Sequence, residues 1–197
     1  MKDTQVQELI LQSLEHERGG VGVYETALRC AQNPDLKEEW EEYLEQTREH
    51  VRILEETCAT LGLDPEMETP GRAVVRHVGK ALVQAMEMAL SGGTPEAAEL
   101  VACECIVLAE TKDHLDWQLI GKCAEKLEGQ TADALAGAYE QVEDQEDEHL
   151  YHTGGWCREL WIQSLGMKAV LPPPEEEKDV KTAIGAERAK QQRAEML

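Results

Sequence analysis

Two punctuated stretches, Asp64-Pro65-Glu66-Met67-Glu68-Thr69-Pro70-Gly71 and Ser91-Gly92-Gly93-Thr94-Pro95, enclose a short run with helical composition. Proline removes an amide donor and glycine costs backbone entropy, so the two breaks isolate 72–90 as a separate short helix. Working outward, Asn33-Pro34 stops a helical segment over 3–32, and a second begins at Asp35, a plausible cap, and ends at Leu61-Gly62. Thr94-Pro95, a cap followed by proline at the first helical position, opens another segment that reaches Glu128-Gly129. A last segment covers 131–165. Four of the five run for about 27 to 36 residues, about 40 to 54 Å at 1.5 Å per residue. Long helices of matched length bury themselves best side by side, so the expected class is all-α, a four-helix bundle. The extra short helix falls between the second and third long ones. Tight turns therefore join the first to the second and the third to the fourth: two antiparallel hairpins linked by one long crossover.

At 197 residues and 22.0 kDa the chain suits one core. Forty Asp and Glu against 19 Lys and Arg leave a formal net charge of -21, which repels nucleic acid. Aromatic residues make up 4% and Phe is absent, against an all-β fold. There is neither an apolar run of about 18 residues nor a basic start leading into one, so we expect no membrane partner and a cytoplasmic protein. Cys30, Cys58, Cys103, Cys105, Cys123 and Cys157 lack Cys-x-x-Cys pairing and read as reduced core thiols. The bundle is expected over 1–168. The stretch 169–197, with its prolines, glutamates and few large apolar residues, reads as a tail outside it, disordered in preference to docked.

The informative residues are the ionisable ones that fall in the buried seams. On the first helix a 3-4 spacing selects Ile10, Leu14, Glu17, Val21, Tyr24, Leu28 and Ala31, an apolar stripe broken once by Glu17. On the last, Leu135, Tyr139, Val142, Glu146, His149, Thr153, Trp156 and Leu160 place Glu146 and His149 inward together, one turn apart. The third long helix carries Glu110 and Asp113 in a stripe with Ile106, Trp117 and Ile120, and the second carries His50, three residues after Thr47. Carboxylates converging in a low-dielectric core call for protons or a cation. Oxygen-rich ligation with one or two imidazoles suits iron or manganese better than zinc, and Glu-x-x-His offers one ion two ligands from one helix. A partner such as Arg72 or His50 for Glu17 is the structural alternative.

With these residues in place the chain resembles the ferritin-like carboxylate proteins, whose pattern is Glu, Glu-x-x-His, Glu and Glu-x-x-His on successive long helices. Glu146-Asp147-Glu148-His149 matches the last motif, and Asp113 precedes Glu146 by 33 residues, a separation similar to that in bacterioferritins, with Glu110 as its competitor. Glu17 followed by Tyr24 is similar to the first helix of rubrerythrins. Over about 10–165 the chain looks most like the stress-induced bacterial ferritin-like proteins of the Yci type, on Asn33-Pro34-Asp35-Leu36-Lys37-Glu38 and Leu44-Glu45-Gln46-Thr47-Arg48-Glu49-His50-Val51-Arg52-Ile53-Leu54-Glu55. The departure is in helix two: Thr47 stands where Glu-x-x-His needs Glu, and Gln46 where that family tends to carry a carboxylate. Glu49 could substitute only in another register, so a mononuclear site stands beside a dinuclear one.

The expected metal ligands are therefore Glu17, His50, Glu110, Asp113, Glu146 and His149. The resemblance implies iron (di-iron or mononuclear) or manganese, oxygen or peroxide as partners, and an oxidase, peroxidase or stress-protection role. The alternative is a ferritin-like scaffold whose site has decayed and which serves assembly. His16, His77, His114 and His152 fall outside the seams and are expected at solvent or edge positions. Trp40, Trp117, Trp156 and Trp161 read as packing residues. Gly19, Gly20 and Gly22 read as sites of close helix approach. A second apolar stripe, Val101, Leu108, Leu115 and Leu119, suggests crossover-helix packing or a homodimer.

Overall fold

Helices begin where a side chain can accept the free amides of their first turn. Asn33 Oδ1 accepts from the backbone N–H of Asp35 and Leu36, Thr69 from Arg72 and Thr94 from Ala97. The cap of the second helix is thus Asn33, with Pro34 at the first position, and not Asp35 as expected. A computed structural model describes residues 3–197 as α1 (Asp3–Cys30), α2 (Pro34–Leu61), α3 (Pro70–Gly92), α4 (Pro95–Lys126), α5 (Gln130–Ser164), α6 (Pro174–Glu177) and α7 (Ala183–Met196). Residues 1 and 2, counted with the expected bundle, lie outside the described residues. No strand occurs among the described residues, and no helix is long and apolar enough to cross a membrane.

Helices α1, α2, α5 and α4 form a closed ring in that order, each packed on its two neighbours. Three residues join α1 to α2 and three join α4 to α5, so each connected pair is an antiparallel hairpin. Helix α3 lies outside the ring on α1 and α4. Its close approach to α1 uses glycine on both sides: a Cβ on Gly79 would stand 3.5 Å from the Gly19 Cα. Facing α2 instead, a Cβ on Gly20 would stand 3.2 Å from Thr47 Cγ2. The loop before α3 is fastened by Arg72, 1% exposed, which donates to Glu15 on α1 and to the Pro65 and Met67 carbonyls. Arg72 therefore serves Glu15, and not Glu17.

The core is divided. One apolar cluster, with Tyr24, Leu36, Trp40, Ile106 and Trp156, fills one end of the bundle. A second, with Ile10, Leu14, Leu54, Trp117 and Leu135, fills the other. Each ring helix passes from one cluster to the other through a polar layer, at Glu17, at His50, at Glu110 and Asp113, and at Glu146 and His149, all buried. Four of the six free cysteines are buried. On α4, Val101 is covered by the first cluster, while Leu108, Leu115 and Leu119 stay exposed.

The stretch 169–197, expected as a disordered tail, carries α6 and α7, both packed on α5. Its polarity is satisfied by pairing: Arg158 on α5 donates to Glu175, and Arg193 on α7 donates to Glu159 on α5. Both glutamates are buried. The backbone N–H of Val170 donates to Glu159 as well.

Candidate metal centre

The polar layer brings donor atoms from all four ring helices to one level. Nδ1 of His50 lies 3.1 Å from Glu146 Oε1 and 3.4 Å from Glu17 Oε1. Nδ1 of His149 lies 3.4 Å from Glu110 Oε2 and 3.7 Å from the same Glu146 oxygen. Two groups result, Glu17, His50, Glu146 and Glu110, Glu146, His149, each with its ligand atoms within 4.8 Å of one another. Glu146 belongs to both. A carboxylate shared between two such groups, each with its own carboxylate and imidazole, could bridge a pair of ions; either group alone offers three ligands to one.

The far side of each imidazole is fixed by a glutamine. His50 Nε2 pairs with Gln145 Oε1 at 2.7 Å, and His149 Nε2 with Gln46 Oε1 at 2.6 Å. The arrangement is reciprocal. Each glutamine stands four residues before one histidine, on its own helix, and holds the histidine of the facing helix. A carboxamide oxygen only accepts, so each Nε2 carries a proton, and in its neutral form each ring keeps its lone pair on Nδ1, toward the carboxylates. Ligand imidazoles are oriented in this way in metal sites. Glu17 Oε1 accepts from Trp117 Nε1 at 2.7 Å, and Glu110 Oε1 accepts from the Tyr24 hydroxyl at 2.8 Å.

What remains after these bonds faces inward. Glu17 Oε2, His50 Nδ1, Glu110 Oε2, Asp113 Oδ1 and both Glu146 oxygens are buried without a hydrogen-bond partner. Each such atom costs about 1–3 kcal/mol. Their convergence calls for a cation or for protons held in its place. Burial pushes the Glu146 carboxyl up to about 7, opposed by His50 and aided by the negative Glu110 and Glu17. Burial, then the charges of Glu146 and Glu17, drive Asp113 well above its usual value. Burial acts against Glu110 too, but the neighbouring His149 and Tyr24 outweigh it and hold that carboxyl low. Burial lowers His50, and the Glu17 and Glu146 carboxylates more than reverse this. Without a cation the layer stores protons, and a cation would displace them.

Five of the six expected ligands, Glu17, His50, Glu110, Glu146 and His149, fall in the two groups. Asp113 is buried beside them and joins neither group. Thr47 contributes no ligand: its hydroxyl donates to the Tyr43 carbonyl. Glu49 is exposed and bound to Arg52, so it does not replace the absent helix-two carboxylate. Three partners lay outside the sequence reading in this role. Gln46 counted there only as a lost carboxylate and Trp117 only as packing, and Gln145 went unremarked; a glutamine four residues before each seam histidine is the signal that marks Gln46 and Gln145. Among the other histidines, His77 is exposed and His114 sits at an edge beside Asp147. His16 is half-buried on the Ala109 carbonyl. His152 corrects the expectation of a solvent or edge position: it is buried, against the Tyr43 hydroxyl.

No protein family, curated protein or solved structure was found to match this chain.

Proposed function

We propose that this chain is a ferritin-like carboxylate and histidine metal protein that binds two ions of iron or manganese at the polar layer. The observation that carries the reading is the set of buried, partnerless donor atoms from four helices at one level, with both imidazoles turned by glutamine so that Nδ1 faces it. Glu17 and His50 would hold one ion, Glu110 and His149 the other, and Glu146 both. Bound iron or manganese would supply redox chemistry with oxygen or peroxide, in an oxidase, a peroxidase or a stress-protection role. The chain's own residues would position and insulate that chemistry: Trp117 and Tyr24 hold the outer carboxylates by hydrogen bonds, and the apolar clusters above and below exclude water. Tyr24 would keep its hydroxyl proton on Glu110. The test is oxygen and peroxide consumption by Fe(II)-loaded protein beside Glu146→Gln, with turnover expected only in the wild type.

A second reading, a bundle with a decayed site that serves assembly, is favoured by Thr47, which leaves α2 with no carboxylate in the layer. It predicts no retained metal and stability indifferent to chelator. Pairing of two copies through Leu108, Leu115 and Leu119 on α4 belongs to either reading, and sedimentation equilibrium with Leu115→Glu tests it.

A further inference from the structure

A different set of buried donors lies outside the polar layer, where α2, α5 and the α6 segment meet. Seven carboxylates and one histidine, with no lysine or arginine, line a cavity of about 630 Å³ there. Acidity alone describes a solvated face, but two of these side chains are withdrawn from solvent: Glu39 on α2 is 9% exposed and His152 on α5 is 8% exposed. Glu39 Oε1, His152 Nε2 and Glu176 Oε2 are buried with no hydrogen-bond partner. Each of the first two is oriented by its other end. Trp156 Nε1 donates to Glu39 Oε2, and the Tyr43 hydroxyl meets His152 Nδ1 at 3.1 Å. The Glu39 and Glu176 carboxyls face each other, and the Val180 backbone faces His152.

We propose that this cavity is a second divalent-cation site, with Glu39 and Glu176 as carboxylate ligands and His152 as a nitrogen ligand, completed by the C-terminal segment. Among the described residues only the two groups in the polar layer have all their ligand atoms within 4.8 Å. His152 Nδ1 lies 3.7 Å from Glu39 Oε1, but Glu39, Glu176 and His152 do not together bring one ligand atom each within 4.8 Å, which suits a hard cation that keeps part of its water shell. Mostly oxygen donors with one imidazole point to Mn2+ or Mg2+. The protonation pattern agrees with a ligand set. Burial, and then the negative charge of Glu176, push Glu39 up to about 8, so without a cation it takes a proton. Burial pulls His152 down to about 4, which keeps its imidazole neutral, the form that ligates. Because Glu176 comes from α6 and Glu39 and His152 from the ring, the cation would tie the C-terminal segment to the bundle. No residue is shared with the polar-layer ligands, so this site stands or falls separately.

The test is Mn2+ titration of the full chain at neutral pH, followed by electron paramagnetic resonance, for wild type, Glu39→Gln, Glu176→Gln and His149→Ala. Glu39→Gln and Glu176→Gln should each lose one bound Mn2+, or weaken it by about tenfold or more, and His149→Ala should retain it. Hydrogen exchange gives a second readout: amides over 174–182 should gain protection on adding Mn2+ in wild type and His149→Ala, and not in Glu176→Gln. Wild-type Mn2+ stoichiometry and affinity in both glutamine variants would overturn the proposal, leaving a proton-sharing carboxyl pair. Should Glu39→Gln fail to fold by circular dichroism, Glu176→Gln, which lies outside the ring, decides the question.

Discussion

Replacing Gln46 by leucine keeps much of the side chain's volume and removes the oxygen that accepts from His149 Nε2 at 2.6 Å. The ring itself should hardly move, because Tyr43 packs against it with ring centroids 4.0 Å apart. What changes is the tautomer. With no acceptor on Nε2, the proton is free to sit on Nδ1, where Glu110 Oε2 lies 3.4 Å away, and that tautomer cannot ligate. The loss is one hydrogen bond, about 1 kcal/mol, plus the cost of restoring the ligating form. Together these predict weakening at the lower end of the 10- to 100-fold range usual for such partners, about tenfold. In anaerobic Fe(II) or Mn(II) titrations the step assigned to Glu110 and His149 should weaken while the Glu17 and His50 step changes little. Gln145→Leu should do the reverse through His50 Nε2. Two isotherms that stay within about twofold of wild type in both variants would mean that the reciprocal glutamines orient nothing.

Three further outcomes follow from other parts of the structure. Metal loading should weaken as pH falls below about 7, where Glu146 takes its proton, and this pH dependence should shrink in Glu146→Gln; the sign is fixed because a raised carboxyl must lose its proton to ligate. Arg72→Met should destabilise the fold by about 3 kcal/mol in urea, because it strips a buried partner from Glu15 and leaves two loop carbonyls without their donor, although Arg76 still reaches Glu15. Burial raises Glu159, but Arg193, the Val170 N–H and Arg158 together hold it below its usual value. The docking it supports is therefore present above about pH 4.5 and lost as pH falls through the depressed value, so limited proteolysis should release α7 in acid before the ring unfolds.

The helices were legible because their boundaries are chemical. Thr69, Thr94, Gly62 and the adjacent prolines leave the backbone little choice; the cap of α2 moved from Asp35 to Asn33, and α3 runs past the expected 72–90 at both ends. The polar layer was legible for the same kind of reason: a carboxylate in an apolar 3-4 stripe has nowhere else to point, and Glu17, Glu110, Asp113, Glu146 and His149 are all buried. Partner choice was not legible. Arg72 pairs with Glu15, and not with Glu17, because one residue along a helix turns a side chain by about 100°, and a periodicity fixes faces without fixing pairs. The C-terminal stretch was misjudged through its polarity. Glu175 and Glu159 are buried against arginines brought together from α5 and α7, a pairing between distant residues that composition does not report.

Metal content is the most direct measurement of whether the polar layer holds metal. Wild type, Glu17→Ala and His149→Ala would be loaded anaerobically with Fe(II) or Mn(II), desalted and analysed by elemental mass spectrometry. Wild type should retain two ions per chain at this layer and each variant should lose metal, over and above any ion held at Glu39 and Glu176. Equal metal in all three proteins, or none in wild type, would contradict this expectation.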